Sequence, residues 1–137
     1  MKTENDKKKD YLRKYRRHGR KISRIESEIE EIRSMKLYPS MNNDGMPHGS
    51  NQKDLSDYAA ELTEKEERLY REGVDRVKSY KDINSKINQL KDENERDVLY
   101  YRYIKDKNWW EIAELMGYSE RQIYRFHGNA LKNLRIT

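Results

Sequence analysis

The most informative stretch of the sequence reads Asn108-Trp-Trp-Glu-Ile-Ala-Glu-Leu-Met-Gly-Tyr-Ser-Glu-Arg-Gln-Ile-Tyr-Arg-Phe126. Its first residue precedes Glu111 by three positions, which is the spacing of a capping box at the start of a helix. Gly117 then permits a sharp turn. Ser119 and Gln122 repeat the capping spacing and open a second helix. The pattern predicts a helix-turn-helix.

The apolar residues of this stretch are spaced so that each helix has one buried side. Ala113 is small enough to let the two helices cross closely. Four larger side chains are predicted to close the core between the helices: Ile112, Met116, Ile123 and Phe126. Trp109 and Trp110 are predicted to pack rather than to form a platform for stacked bases. Because adjacent helical residues point in different directions, at most one of them is expected to be fully buried. Gly128 is expected to cost the second helix about 1 kcal/mol relative to alanine and to permit a close contact.

The outward side of the second helix carries side chains suited to the major groove of DNA: Glu120, Arg121, Gln122, Tyr124 and Arg125. Arginine bonds guanine O6 and N7 in a bidentate manner, glutamine pairs with adenine N6 and N7, and glutamate accepts from cytosine N4. Asn108 and the first amides of its helix are predicted to lie near phosphates. Ser119 completes the candidate DNA-binding set. The alternative is an ordinary solvated helix face.

A shorter helix is predicted just before this motif. Asp92 or Asn94 can cap it, and its apolar side consists of Val98, Leu99, Tyr103 and Ile104. Residues 105–108 interrupt it. We therefore predict that residues 92–137 form one helix-turn-helix domain.

The N-terminal part of the sequence predicts long amphipathic helices. An apolar or aromatic residue or a histidine recurs at alternating intervals of four and three, at Tyr11, Tyr15, His18, Ile22, Ile25, Ile29 and Ile32. That is the 3.5-residue period of a coiled-coil seam. It predicts a helix over about 8–36, followed by a loop over 38–52 that holds both prolines.

A second long helix is predicted over about 53–80, capped by Asp54, and a short helix over about 82–91 after a break near Lys81 and Asp82. The apolar stripe of the second helix is Leu55, Tyr58, Ala59, Leu62, Leu69 and Val77. The two long helices can bury their seams against each other as a hairpin or against a second copy of the chain. The predicted fold is all-α, with a helical hairpin or coiled coil over 1–91.

Composition and charge narrow the function further. Only 34% of the residues are hydrophobic and 40% are charged, and there is no cysteine. Residues 1–24 hold eleven Lys/Arg and three Asp/Glu, a net of +8; residues 119–137 have a net of +3, which leaves −6 for the middle. The basic ends predict either contact with a polyanion or a solubilising tail. Without an apolar run of membrane length, we expect a cytoplasmic, nucleoid-associated protein.

Catalysis finds no support in the sequence. His18, His48 and His127 have neither the spacing of metal ligands nor a nucleophile beside them. There is no glycine-rich phosphate loop. We therefore expect no enzyme activity, no cofactor and no metal.

Three C-terminal segments resemble the promoter-reading domain of primary-type bacterial sigma factors, known as region 4: Glu95-Arg-Asp-Val-Leu-Tyr-Tyr-Arg-Tyr-Ile104, Trp110-Glu-Ile-Ala-Glu-Leu-Met-Gly-Tyr-Ser119 and Ala130-Leu-Lys-Asn-Leu134. With Gly45-Met-Pro-His-Gly-Ser50 and Asp54-Leu-Ser-Asp-Tyr-Ala-Ala60, nearly the whole chain resembles the RinA/ArpU-type transcriptional regulators of phages and prophages. The resemblance implies a regulator of phage late genes. It also implies that Glu120, Arg121 and Arg125 contact bases or backbone, with Gln122 and Tyr124 flanking them and Asn108 on a phosphate.

The resemblance has limits that bear on mechanism. Tyr124, His127 and Gly128 depart from the sigma pattern, so the preferred DNA sequence does not transfer. Residues 1–91 do not resemble a promoter-melting domain. We therefore expect an activator that works with host RNA polymerase. Two other functions stay open: a DNA-recognition protein like a phage small terminase subunit, and a module that binds RNA polymerase without reading DNA.

Overall fold

The protein is all-α, as predicted, in a computed structural model that describes residues 1–36 and 51–137. The helices are α1 (Glu4–Leu12), α2 (Lys14–Lys36), α3 (Asn51–Asn88), α4 (Glu93–Leu99), α5 (Trp109–Met116) and α6 (Glu120–Asn133). A π-helical turn, Tyr100–Ile104, continues α4. No β-strand occurs in either described range. None of the helices described has the length and apolar character needed to cross a membrane.

The chain divides into two compact units, and the division differs from the predicted one at residue 91. The first unit joins residues 1–18 to residues 76–137, and the second consists of residues 19–75. The reason is the core of the first unit, in which Leu12 of α1 and Ile83 of α3 are buried together with Leu99 and Ile123. The N-terminal helix therefore folds with the helix-turn-helix.

The N-terminal helix begins earlier than predicted and is divided at Arg13. Thr3 and Asp6 form a capping box, since the Thr3 side chain accepts from the Asp6 amide and the Asp6 carboxylate accepts from the Thr3 amide. That local signal places the start of α1 at Glu4 rather than near residue 8. α2 then begins at Lys14.

In the second unit, α2 and α3 form the predicted hairpin. Ile25, Ile29 and Ile32 are buried within the single chain, so no second copy is needed to cover them. Lys65 Nζ of α3 lies 2.6 Å from Glu28 Oε2 of α2. This partly buried ion pair joins the two helices beside the apolar seam.

The predicted break near Lys81 and Asp82 is wrong, because α3 runs without interruption to Asn88. The 3.5-residue repeat of its inner side continues through Leu69, Arg76, Tyr80, Ile83 and Ile87, of which the last two are buried and the others half-buried. A separate helix over 82–91 therefore does not form. The turn after α3 leads directly to α4.

The predicted apolar stripe of the second long helix is partly wrong as well. Val77 is 54% exposed and Leu55 is 40% exposed. Lys65 and Arg76 occupy inner positions, and Val77 falls one residue beside the seam. The long side chains of lysine and arginine can cover apolar surface with their methylene groups. An apolar pattern alone therefore misplaces the stripe.

Part of the predicted N-terminal organisation lies outside the described residues. The predicted loop over 38–52 falls mostly within residues 37–50, and so does the segment of residues 45–50. The second long helix begins at Asn51, two residues before the predicted start. The side chain of Asp54, the predicted cap, also lies outside the described part of the chain.

In the first unit, α3 runs antiparallel to the N-terminal segment. Tyr11 donates a hydrogen bond to the Asp82 carboxylate, and the ring of Tyr15 packs on Tyr80 at 5.7 Å between centroids. The Arg76 guanidinium lies 4.7 Å from the centroid of the Tyr15 ring. Burial and the neighbouring Asp82 carboxylate raise the pKa of Tyr11, so its hydroxyl stays protonated and keeps donating.

Candidate nucleic-acid interface

The turn between α5 and α6 has the predicted construction. Asn108 caps α5 with a complete capping box: its Oδ1 accepts from the Glu111 amide at 3.0 Å, and its own amide donates to the Glu111 carboxylate at 3.1 Å. At the other end, Gly117 adopts φ 75°, a left-handed conformation that favours glycine. Its amide donates to the Ala113 carbonyl at 2.9 Å. These bonds stop α5 and redirect the chain into α6.

The cap of α6 is half of the predicted box. The Ser119 hydroxyl accepts from the Gln122 amide at 3.2 Å. Since one bond of this kind satisfies one of the free amides at the helix start, α6 begins firmly at Glu120.

One side of α6 is buried and the opposite side is exposed to solvent. Its buried residues are Ile123, His127, Ala130 and Leu131. Ile112 of α5 is also fully buried, and Met116 and Phe126 pack against the same core. The predicted core of the helix-turn-helix is thus confirmed. Burying one side this way fixes which side chains of α6 face water.

Four of the predicted site residues lie exposed on the first two turns of α6: Glu120, Arg121, Tyr124 and Arg125. Gln122 is half-buried, and Ser119 and Asn108 are exposed caps. Asn108 Oδ1 is engaged by the Glu111 amide, so its Nδ2 group is the one that can donate to a phosphate. The predicted site residues from Ser119 to Arg125 therefore lie together at the start of α6, and Asn108 lies at the start of α5.

Tyr124 is exposed but not isolated, and its packing was not foreseen. Its ring lies 5.0 Å from that of Trp109, between centroids. The Arg102 guanidinium covers Trp109 at 4.4 Å, and an Arg102 N–H donates to the Lys107 carbonyl at 3.1 Å. This stack holds Tyr124 in position at the exposed side of α6. Trp109 packs and Trp110 is 56% exposed, in agreement with the prediction that at most one of them is fully buried.

His127 is the second feature that the sequence did not reveal. Its Nε2 lies 2.8 Å from the Tyr103 hydroxyl, and the two rings stack at 5.8 Å. Burial, together with the charges of Lys9, Arg102 and Arg13, lowers the pKa of His127 to about 4. The ring is therefore neutral near pH 7, and it ties α6 to the π-helical turn.

Lys8 ties α6 to the N-terminal helix. Its side chain is buried, and its Nζ donates to the Leu131 carbonyl at 2.7 Å and approaches the Lys132 carbonyl at 3.4 Å. Both carbonyls belong to the last turn of α6, where a cation is favoured by the helix dipole. Lys8, one cation of the basic N-terminal segment, is therefore structural.

The close contact predicted at Gly128 is wrong. A Cβ built at this position meets no atom within 4 Å, and the residue is exposed. It lies one position after His127, on the solvent side of α6. The described residues also contain no group of three or more His, Cys, Asp or Glu that could hold a metal ion.

The comparisons with known proteins identify one family. The family model with the description "Protein of unknown function (DUF1492)" matches residues 35–135. No curated protein and no solved structure matches the chain. The match includes the whole helix-turn-helix.

Proposed function

The chain belongs to the DUF1492 family, and we propose that it is a sequence-specific DNA-binding protein that regulates transcription. In this proposal α6 enters the major groove of duplex DNA. Arg121 and Arg125 contact base edges, Tyr124 and Gln122 flank them, and Asn108 contacts a phosphate. Glu120 and Ser119 complete the set at the start of α6.

One observation carries this proposal: a helix that is anchored on one side and presents two arginines on the other. Ile123 has no exposed surface and His127 is 8% exposed, so α6 cannot rotate about its axis without breaking the core. Arg121 and Arg125 are one turn apart and both exposed. Each bidentate contact to guanine contributes about 1–3 kcal/mol of discrimination.

The experiment is selection of bound sequences from a pool of random duplexes, with the full chain as the selecting protein. The wild type should enrich a defined motif. Arg121→Ala and Arg125→Ala should each flatten the motif at one or two positions, since 1–3 kcal/mol corresponds to about five- to 150-fold discrimination.

Arg68→Ala is the matched control, because Arg68 is exposed on α3 in the second unit and its loss removes the same charge. The control should select the wild-type motif. If both α6 variants also select that motif, neither arginine reads bases and the proposed interface is wrong.

The regulatory part of the proposal concerns RNA polymerase. The resemblance to RinA/ArpU-type regulators suggests late genes of a phage or prophage as targets. The described residues before α4 form long helices, and residues 1–91 do not resemble a promoter-melting domain. The protein should therefore raise transcription from its promoter with a polymerase holoenzyme and have no effect with core enzyme alone. Correct initiation with core enzyme would instead identify a minimal sigma factor.

A second candidate is a module that binds RNA polymerase without reading DNA. It is favoured by apolar surface on α5 and the turn after it, where Trp110 and Leu115 are each 56% exposed and Tyr118 is 42% exposed. Exposed apolar side chains of this size are common in protein interfaces. A wild-type chain that binds core polymerase but no duplex at low salt would establish this candidate over the first.

A further inference from the structure

We propose that the N-terminal segment is a second DNA-contacting element, in which Lys9 of α1 and Arg13, the residue after α1, bind the phosphate backbone beside the groove that α6 enters. The inference rests on the proposed function, and it assigns different roles to basic residues that are neighbours in the sequence. Lys8 anchors the helix, and Lys9 and Arg13 face the ligand.

The first step is that α1 is fixed on the helix-turn-helix. Leu12 is fully buried in the shared core. Lys8 Nζ bonds the carbonyls at the end of α6, at 2.7 Å for the shorter bond. Since Lys8 and Leu12 are one turn apart, they define the inner side of α1. The other cations of α1 therefore have fixed directions relative to α6.

The second step is where Lys9 and Arg13 point. They are also one turn apart, at roughly 100° around the helix from Lys8 and Leu12. Arg16, which follows Arg13 by three positions on this side, donates to the Arg102 carbonyl at 2.7 Å and pairs with Asp106 at 2.9 Å. The charges of Lys9 and Arg13 also help to lower the pKa of His127. The side of the N-terminal segment that carries Lys9 and Arg13 therefore faces the π-helical turn and Arg102.

The third step is that the same side continues into the candidate interface. Arg102 joins Lys9 and Arg13 as a charge that acts on His127. Its guanidinium covers Trp109, and Trp109 contacts both Tyr124 and His127, at 5.0 and 4.8 Å between centroids. Positive charge therefore extends from α1 to the aromatic side chains beside Arg121 and Arg125.

The carboxylates near this surface pair mainly with other cations, so the positive charges of Lys9 and Arg13 are not neutralised. Asp10 lies 2.6 Å from Lys2 Nζ but 4.0 Å from the Arg13 guanidinium, so its stronger contact is with Lys2. Asp106 pairs with Arg16 at 2.9 Å. Arg13 is about half-exposed. An exposed cation beside a major-groove helix suits a phosphate, because such contacts position a protein on DNA without reading its sequence.

The experiment compares two double variants of the full chain on the selected duplex and on an unrelated duplex. Lys9→Gln with Arg13→Gln removes the two proposed contacts. Lys7→Gln with Lys14→Gln removes two charges from the opposite side of the same segment, where both residues are exposed. Thermal melting checks that both variants are folded.

The measured quantity is the slope of log affinity against log salt concentration. Each lost phosphate contact lowers the slope by about 0.9, so the Lys9 and Arg13 variant should lose about 1.8. Between 50 and 200 mM salt, that slope change makes the loss of affinity about twelvefold larger at the lower concentration. The loss should be equal on both duplexes, and the Lys7 and Lys14 variant should keep most of the wild-type slope.

One further double variant and the wild type separate the possible outcomes. Lys9→Arg with Arg13→Lys should restore the slope, because charge is what a phosphate contact requires. If wild-type protein selects a motif but the Gln variants at Lys9 and Arg13 keep its slope, the role of α1 is overturned and the function of α6 stands. If wild-type protein binds no duplex, both proposals are overturned.

Discussion

Acid should destabilise the first unit through a single histidine, His127. The ordinary pKa of 6.5 falls to about 4 in the folded chain, where burial and the cations Lys9, Arg102 and Arg13 disfavour the charged ring. The unfolded chain therefore binds this proton more readily than the folded chain. Stability is complete above pH 6.5 and is lost progressively as the pH falls toward 4.

The size of the effect follows from the two pKa values. Between pH 7 and pH 5, a shift from 6.5 to about 4 removes about 2 kcal/mol from the free energy of unfolding. His127 is only 8% exposed, so little solvent screening reduces this figure. His127→Gln keeps a polar group beside Tyr103 and has no charge to gain. Its free energy of unfolding should lose about 2 kcal/mol less than that of the wild type over the same pH range.

The assay is urea unfolding at pH 7 and pH 5, followed by tryptophan fluorescence. Both tryptophans of the chain lie in α5, and Trp109 packs on His127, so the signal reports on the first unit. Equal pH dependence in wild type and His127→Gln would refute the reasoning, since the histidine would then not be held neutral by the fold.

Three further changes test the construction of the first unit. Lys8→Met should lower the free energy of unfolding in urea by about 1.5–3 kcal/mol, since two helix-end carbonyls lose a charged donor, while the exposed Lys7→Met should change it by less than about 0.5 kcal/mol. Gly128→Ala should stabilise by about 1 kcal/mol because its Cβ meets open space, whereas Gly117→Ala, at φ 75°, should destabilise by about 1 kcal/mol or more. Arg102→Ala should shift the tryptophan emission to the red and lower stability by about 1 kcal/mol, because the ring it covers gains contact with water. The packing described would be contradicted by unchanged urea unfolding of Lys8→Met, by stability changes of the same sign in the two glycine variants, or by an unchanged emission spectrum of Arg102→Ala.

The helix-turn-helix could be predicted because its signals are local. Asn108, Gly117 and Ser119 act within three or four residues of themselves, through a capping bond or a left-handed turn. The apolar period then orients the helices, and with them the exposed arginines of α6. Short-range signals of this kind do not depend on the rest of the fold.

The features that were missed depend on contacts between distant residues. Lys8 bonds a carbonyl 123 residues away, and no spacing in the sequence distinguishes it from Lys7 or Lys9. The stack of Arg102, Trp109 and Tyr124 likewise joins three separate elements. These contacts arise only when tertiary packing brings the elements together.

The long helices show a different limit. The inner side of α3 includes Lys65 and Arg76, whose stems and partners make them compatible with a seam. A pattern that counts only apolar residues therefore predicted a break after residue 80 and assigned Val77 to the wrong side. The inner positions follow a 3.5-residue period, but they accept lysine and arginine as well as apolar residues.

The central claim is that α6 reads the major groove, and methylation interference on the selected duplex tests it most directly. Methylation at guanine N7 blocks the major groove, and methylation at adenine N3 blocks the minor groove. Guanine N7 methylation within the motif should abolish binding of the wild type. At one such position, methylation should no longer affect binding of Arg121→Ala or Arg125→Ala. Interference at adenine N3 alone would contradict the claim and place the contact in the minor groove.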